Sequence, residues 1–213
     1  MKYYKILGKN GFACNGGTGQ WSLPHDGQPG EWMPEIKNIE PCRRGYHLCQ
    51  PEDLIHWLNE EIYEAEGREK AIRQDDKTVF SEARVLRKID TWNEKTQRLF
   101  AADCAEHVLH NFEEKYPDDN RPRLAIEAAR KYANGEITID QLNTAYRGAD
   151  NAANRGGDSA AYNAAYSAAY NAAGSAAYRG ADSAASAAYS AAGSAERKWQ
   201  TKRLFYYLQE ELP

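Results

Sequence analysis

The spacing of apolar positions changes character along the chain. Up to about residue 90 they come in short runs broken by turn residues, with Gly16-Gly17 and Pro29-Gly30 as punctuation. Pro51-Glu52-Asp53 predicts the start of a short helix through Leu54, Ile55, Trp57 and Leu58, with its proline early and its acids in the first turn. Two strands are expected next, Ile62 to Glu66 and Thr78 to Ile89. In the second, Val79, Ser81, Ala83, Val85 and Arg87 alternate with Phe80, Glu82, Arg84 and Leu86. Arg73-Gln74-Asp75-Asp76-Lys77 between them reads as a polar turn.

Helical spacing takes over beyond that point. Thr91 is the expected N-cap, with Glu94 three residues on as in a capping box. Leu99, Phe100, Cys104, Val108 and Leu109 recur at helical spacing and stop before Pro117. Pro122 opens a second helix, Leu124 to Tyr132, closed by Asn134-Gly135. Thr138 caps a third, carrying Ile139 and Leu142.

From residue 143 to 198 there is no Val, Ile, Leu, Met, Phe or Trp. A tetrad repeat takes their place: from Ser159 the units read SAAY, NAAY, SAAY, NAAG, SAAY, RGAD and SAAS. Alanine pairs favour helix. A period of four exceeds 3.6, so a stripe of one residue type winds about 40° per unit. Gly-Gly-Asp at 156–158 and Gly-Ala-Asp at 180–182 read as helix stops followed by an Asp cap. Helices are therefore expected near 138–154, 159–178 and 183–211. The predicted class is α+β: a small β-rich head over 1–90, then an all-α, Ala/Tyr-rich helical body over 91–213 with the repeats at 143–198.

Composition narrows the function. Leu, Ile, Val and Phe total only 31 of 213 residues, but a net charge of −4 and 24 aromatic residues argue against global disorder. The same charge disfavours electrostatic nucleic-acid binding. No run of 18 apolar residues suggests a membrane span, and no apolar signal core follows Met1-Lys2-Tyr3-Tyr4-Lys5. Four cysteines are too sparse for a disulfide scaffold, so a cytoplasmic setting is expected.

Chemistry could reside in four places. Cys14, His25, Cys42, His47 and Cys49 have zinc-ligand character, but Cys42-x4-His47-x-Cys49 matches no standard zinc knuckle, and no metal or other cofactor is expected. Cys49 or Cys14 with His47 or His25 and Asp26 could supply a nucleophile and base. On the first body helix, Asp103 with His107 and Glu106 with His110 lie four apart, a spacing that favours helix-stabilising acid–His pairs over a metal site. In the tetrads, alanine stripes permit close helix packing. Tyr162, Tyr166, Tyr170 and Tyr178 then offer a recognition row. Arg147, Arg155 and Arg179, each followed by Gly and a capping Asp, could meet an anion at helix starts. These seven residues are the candidate partner- or ligand-binding set.

Two stretches resemble known families. Cys42-Arg43-Arg44-Gly45-Tyr46-His47-Leu48-Cys49, with Leu54, Tyr63-Glu64-Ala65-Glu66-Gly67, Asp75-Asp76-Lys77 and Ala83-Arg84-Val85-Leu86-Arg87, resembles an uncharacterised N-terminal domain of bacterial and phage proteins. Leu99-Phe100-Ala101-Ala102-Asp103-Cys104-Ala105-Glu106-His107 is similar to an immunity protein family of polymorphic-toxin systems. So are Arg121-Pro122-Arg123, Ala125 to Arg130 and Gly135-Glu136. Neither resemblance supplies a catalytic set.

Three functions follow in order. The first is a non-enzymatic, immunity-like inhibitor or phage counter-defence factor that neutralises a host or toxin protein. The second is a protein sequestering a nucleotide-like small molecule between Tyr and Arg side chains, as a possible homo-oligomer. The third is an enzyme using the Cys/His set of the head.

Overall fold

The computed structural model describes residues 1–114, 116–153 and 194–210. It is α+β, with an antiparallel four-stranded sheet followed by helices. The chain divides into two compact units. One holds Met1–Trp92 and the chain from Leu208 onward; the other is Asn93–Tyr207.

In the first unit the strands are β1 (Tyr3–Leu7), β2 (Tyr46–Leu48), β3 (Glu61–Arg73) and β4 (Thr78–Lys88), in the order β1-β3-β4-β2. β3 and β4 form the expected hairpin around the polar turn, where the Gln74 N–H donates to the Lys77 carbonyl at 2.8 Å. β3 runs well past Glu66, because pairing with β4 carries its polar half to Arg73. Tyr4 and Cys49 exchange backbone bonds of 2.8 and 3.0 Å. That pair brings the end of β2 to the outer edge of β1, so the sheet rolls round onto itself. β2 covers only Thr78–Phe80 of β4. Beyond it, Gly30, Met33 and Ile36 donate to the carbonyls of Val85, Ala83 and Ser81. Three residues of this segment pass for every two of β4, so it seals the edge without being a regular strand. The expected helix after Pro51 is a 3-10 helix over Pro51–His56.

One face of the sheet packs Leu7, Trp21, Leu48, Tyr63, Ala65, Phe80, Ala83 and Val85 together. Gly67 is required there, since a Cβ on it would lie 2.3 Å from the Phe80 ring. The chain end closes this unit. Glu210 accepts from Arg87 at 2.6 Å and from Lys2, and Lys2 also pairs with Glu64 at 3.3 Å.

The second unit contains α1 (Glu94–Glu113), α2 (Arg121–Ala133), α3 (Ile139–Ala153) and all but the last residue of α4 (Ser194–Leu208). The N-cap of α1 is Asn93 rather than Thr91. Asn93 Oδ1 accepts from the Thr96 N–H, and Thr96 Oγ1 accepts from the Asn93 N–H. The Thr91 hydroxyl instead donates to the Leu208 carbonyl at 2.7 Å, within the first unit. The expected Asn134-Gly135 stop follows α2, with Gly135 at φ 75°. Thr138 and Gln141 bond reciprocally at the start of α3. The core between α1, α2 and α3 is rich in alanine: Ala102, Ala105, Ala125, Ala128 and Ala129 surround Leu109, Phe112, Ile126 and Leu142. The helix expected at 159–178, the start of that expected at 183–211, and both Gly-Asp stops lie outside the described residues.

Candidate functional site

The side chains of α1 decide what its acid–His spacing does. Asp103 is buried beside Ala102, and its carboxylate is shared among three donors. Arg130 of α2 donates to Oδ1; Arg203 of α4 and the Tyr207 hydroxyl, at 2.6 Å, donate to Oδ2. Arg130 also donates to Glu106. The Arg203 guanidinium lies 4.5 Å from the Tyr206 ring centroid and 5.1 Å from that of Tyr207. Burial disfavours both guanidinium charges, but the bonds to Asp103 more than offset it and hold both arginines above their ordinary pKa. Burial, then the bond to Asp103, pushes the Tyr207 hydroxyl well up.

One turn along, His107 stacks on Trp199, with ring centroids 3.8 Å apart and planes 13° apart. Its Nδ1 meets Glu196 Oε2 at 2.7 Å. His110 Nδ1 donates to the His107 carbonyl at 3.2 Å. The expected pairs Asp103–His107 and Glu106–His110 are therefore replaced. Both acids are taken by Arg130, whose guanidinium reaches across from α2 and gives one nitrogen to each carboxylate. Glu196, Trp199, Arg203 and Tyr207 share one face of α4 at helical spacing. That face runs antiparallel to α1, with 196 and 199 meeting His107 and 203 and 207 meeting Asp103. The cluster balances two acids against two arginines and ties three helices together. Tyr206, 65% exposed, is left on the surface beside it.

The head residues do not converge. The Cys14 thiol donates to the Ile6 carbonyl at 3.4 Å and the buried Cys49 thiol to the Tyr4 carbonyl at 3.6 Å. Burial pushes both thiols up, away from the thiolate that a nucleophile or zinc ligand needs. His47 Nε2 accepts from the Cys42 backbone N–H at 3.0 Å, so that nitrogen serves the loop and not a thiol. Burial, then the charges of Lys5 and Lys77, pushes this imidazole down. His25 pairs with Asp26 at 3.1 Å on an exposed turn. Among the described residues, no three His, Cys, Asp or Glu side chains gather as a metal site.

Of the candidate binding set, Arg147 lies within α3 and is exposed. It does not stand at a helix start, because α3 continues through Gly148 and Asp150, so the expected anion geometry is not formed there. Tyr162, Tyr166, Tyr170, Tyr178, Arg155 and Arg179 lie outside the described residues. The Asp103 cluster was hidden from sequence reasoning because its arginines come from distant helices. The visible signal was the spacing of Glu196, Trp199, Arg203 and Tyr207 on an otherwise charged helix.

The helical part of the chain is matched by the family model of the Imm-5 like putative immunity protein over residues 87–205. That span is more than half of the sequence, and the chain belongs to this family. No curated protein and no solved structure matches it.

Proposed function

We propose that this immunity-like protein acts without catalysis, by binding and inhibiting a protein, either a toxin or a host defence factor. The reading also covers a phage-borne counter-defence role in the cytoplasm. Membership of the immunity-like family over the helical body is the observation that carries it. A protein partner suits that family, and no described helix is long and apolar enough to cross a membrane.

The partner surface in this reading is the tetrad segment: Tyr162, Tyr166, Tyr170 and Tyr178, with Arg147, Arg155 and Arg179 beside them. Phe or Leu would fill the same volume without a hydroxyl to satisfy, whereas Tyr offers wide contact area at low entropy cost. The test is co-expression with candidate toxin domains, scoring growth rescue and a co-purifying complex. Tyr166→Ala is expected to weaken rescue by more than its melting temperature explains. Undiminished rescue by Tyr166→Ala, or rescue lost only in proportion to folded protein, returns the row to a packing role. Failure of every toxin to be rescued or bound removes the inhibitory reading.

A further inference from the structure

The charges of α4 divide by face. Toward α1 each is matched: Glu196 meets His107, and Arg203 meets Asp103. On the open face every charge is positive. Arg197, Lys198 and Lys202 are exposed, and none has a carboxylate partner among the described residues. Lys198, Lys202 and Tyr206 follow one another at i, i+4, so they form a row about 12 Å long with Arg197 beside its start. Like charges at this spacing weaken a helix rather than support it. Seating α4 does not require them, because Leu204 and Phe205 are buried and the inner face is already tied to Asp103 and His107.

Tyr206 closes the row. It is largely exposed, yet its ring is held. The Arg203 guanidinium that stacks on it is itself fixed by Asp103, and the Tyr207 ring stands edge-on at 5.4 Å. An exposed aromatic ring already fixed in place loses little freedom when a partner covers it. Tyrosine is enriched where binding energy concentrates, and charges around such an anchor set approach rate and orientation.

We propose that the open face of α4, from Arg197 to Tyr206, is a docking surface for an acidic protein segment. Its carboxylates would meet Arg197, Lys198 and Lys202, and an apolar or aromatic group of the same segment would cover the Tyr206 ring. Charge complementarity selects this occupant. The chain's net charge of −4 opposes a long polyanion such as nucleic acid, whose field reaches well beyond three side chains. A lipid surface would need an apolar helix face to bury, and Leu204 and Phe205 of α4 are already inside the unit. The surface is separate in sequence from the tetrads and does not depend on their contacting an inhibited protein.

The test is a titration of the isotope-labelled full chain with a glutamate–tyrosine copolymer, read from backbone amide shifts and repeated from about 20 to about 200 mM salt. Shifts are expected to concentrate on residues 197–206, and affinity to fall steeply with salt. Lys198→Glu and Lys202→Glu are each expected to weaken binding several-fold. Lys37→Glu, the same charge change on an exposed lysine of the first unit, is expected to leave it nearly unchanged. Tyr206→Ala keeps every charge and is also expected to weaken binding several-fold. Lys202→Gln, which only removes charge, stands in for any reversal that disturbs the fold. Shifts spread evenly over the exposed lysines, or a Lys37→Glu effect as large as that of Lys202→Glu, overturn the proposal. So does tighter binding at the same residues by oligothymidylate or by phosphatidylserine vesicles, which would make the partner a nucleic acid or a membrane.

Discussion

Removing the Asp103 carboxylate is the sharpest test of the helical unit. The side chain is 6% exposed and accepts from Arg130, Arg203 and Tyr207. A hydrogen bond to a charged group contributes about 1.5–3 kcal/mol, so three independent bonds set an upper bound that Asp103→Ala does not reach. Arg130 and Arg203 are 29% and 35% exposed, and each regains water once the carboxylate is gone. The Tyr207 hydroxyl is half-buried and is left without its acceptor, at about 1–3 kcal/mol. The expected loss for Asp103→Ala is about 3 kcal/mol, the lower end for breaking a buried charge pair. Asp103→Asn keeps a neutral acceptor and loses about 1.5 kcal/mol. Glu106→Ala serves as the internal contrast. Its side chain is 51% exposed, and its bond to Arg130 is a surface pair worth less than about 1 kcal/mol. Urea unfolding followed by helical circular dichroism measures all three. Asp103→Ala within about 0.5 kcal/mol of the parent, or no more destabilising than Glu106→Ala, would refute the cluster's structural role.

Acid is expected to loosen the head through Glu210. Burial disfavours its carboxylate, but the bonds from Arg87 and Lys2 more than offset this and hold its pKa below the ordinary value. A carboxylate with a depressed folded pKa stabilises fully above its unfolded pKa of about 4.3 and loses that stabilisation as pH falls through the folded pKa. Thermal midpoints from pH 6 down to pH 3 should therefore fall less steeply in Glu210→Gln than in the parent; parallel curves would contradict the assignment. Ala129→Leu should overpack the α1–α2–α3 core, where Ala129 is 1% exposed, and cost about 1–3 kcal/mol in urea unfolding. An unchanged midpoint would mean that this core has room the structure does not give it.

Local rules made the first three helices and most of their ends legible and left their partners hidden. Period, Pro122, Asn134-Gly135 and Thr138 are all short-range signals, and each acts where the spacing placed it. The cap of α1 fell two residues later than expected because Thr91 spends its hydroxyl on Leu208, a partner that no local window contains. β1 and β2 escaped notice for the same reason. β1 mixes Tyr and Lys without alternation, β2 has three residues, and both exist through pairing with β3 and β4. The turn His25–Gln28 carried a readable sign in Asp26-Gly27, whose φ values of 50° and 75° suit a tight hairpin turn. The acid–His spacing on α1 suggested intrahelical pairs. It lost to arginine, because the guanidinium of Arg130 on a neighbouring helix is always charged and has a donor for each of the two acids.

The alanine core and the polar cluster make sense together. Alanine lets helix backbones approach closely but presents a nearly smooth surface, so methyl groups alone fix rotation and register weakly. The side chains of α4 supply that register. A slide of α4 by one turn, about 5.4 Å, would part Arg203 and Tyr207 from Asp103 and Trp199 and Glu196 from His107 at once. At the other side, Leu142 seats α3 in the core formed with α1 and α2. The chain between α3 and α4 is the tetrad segment, so its two flanking helices are both fixed to the same scaffold. Recognition elements work best when their ends are held by rigid structure, because less conformational freedom is lost when a partner arrives. Asp103 on one side and Leu142 on the other thus anchor the two helices between which, in sequence, the proposed tetrad contact surface runs.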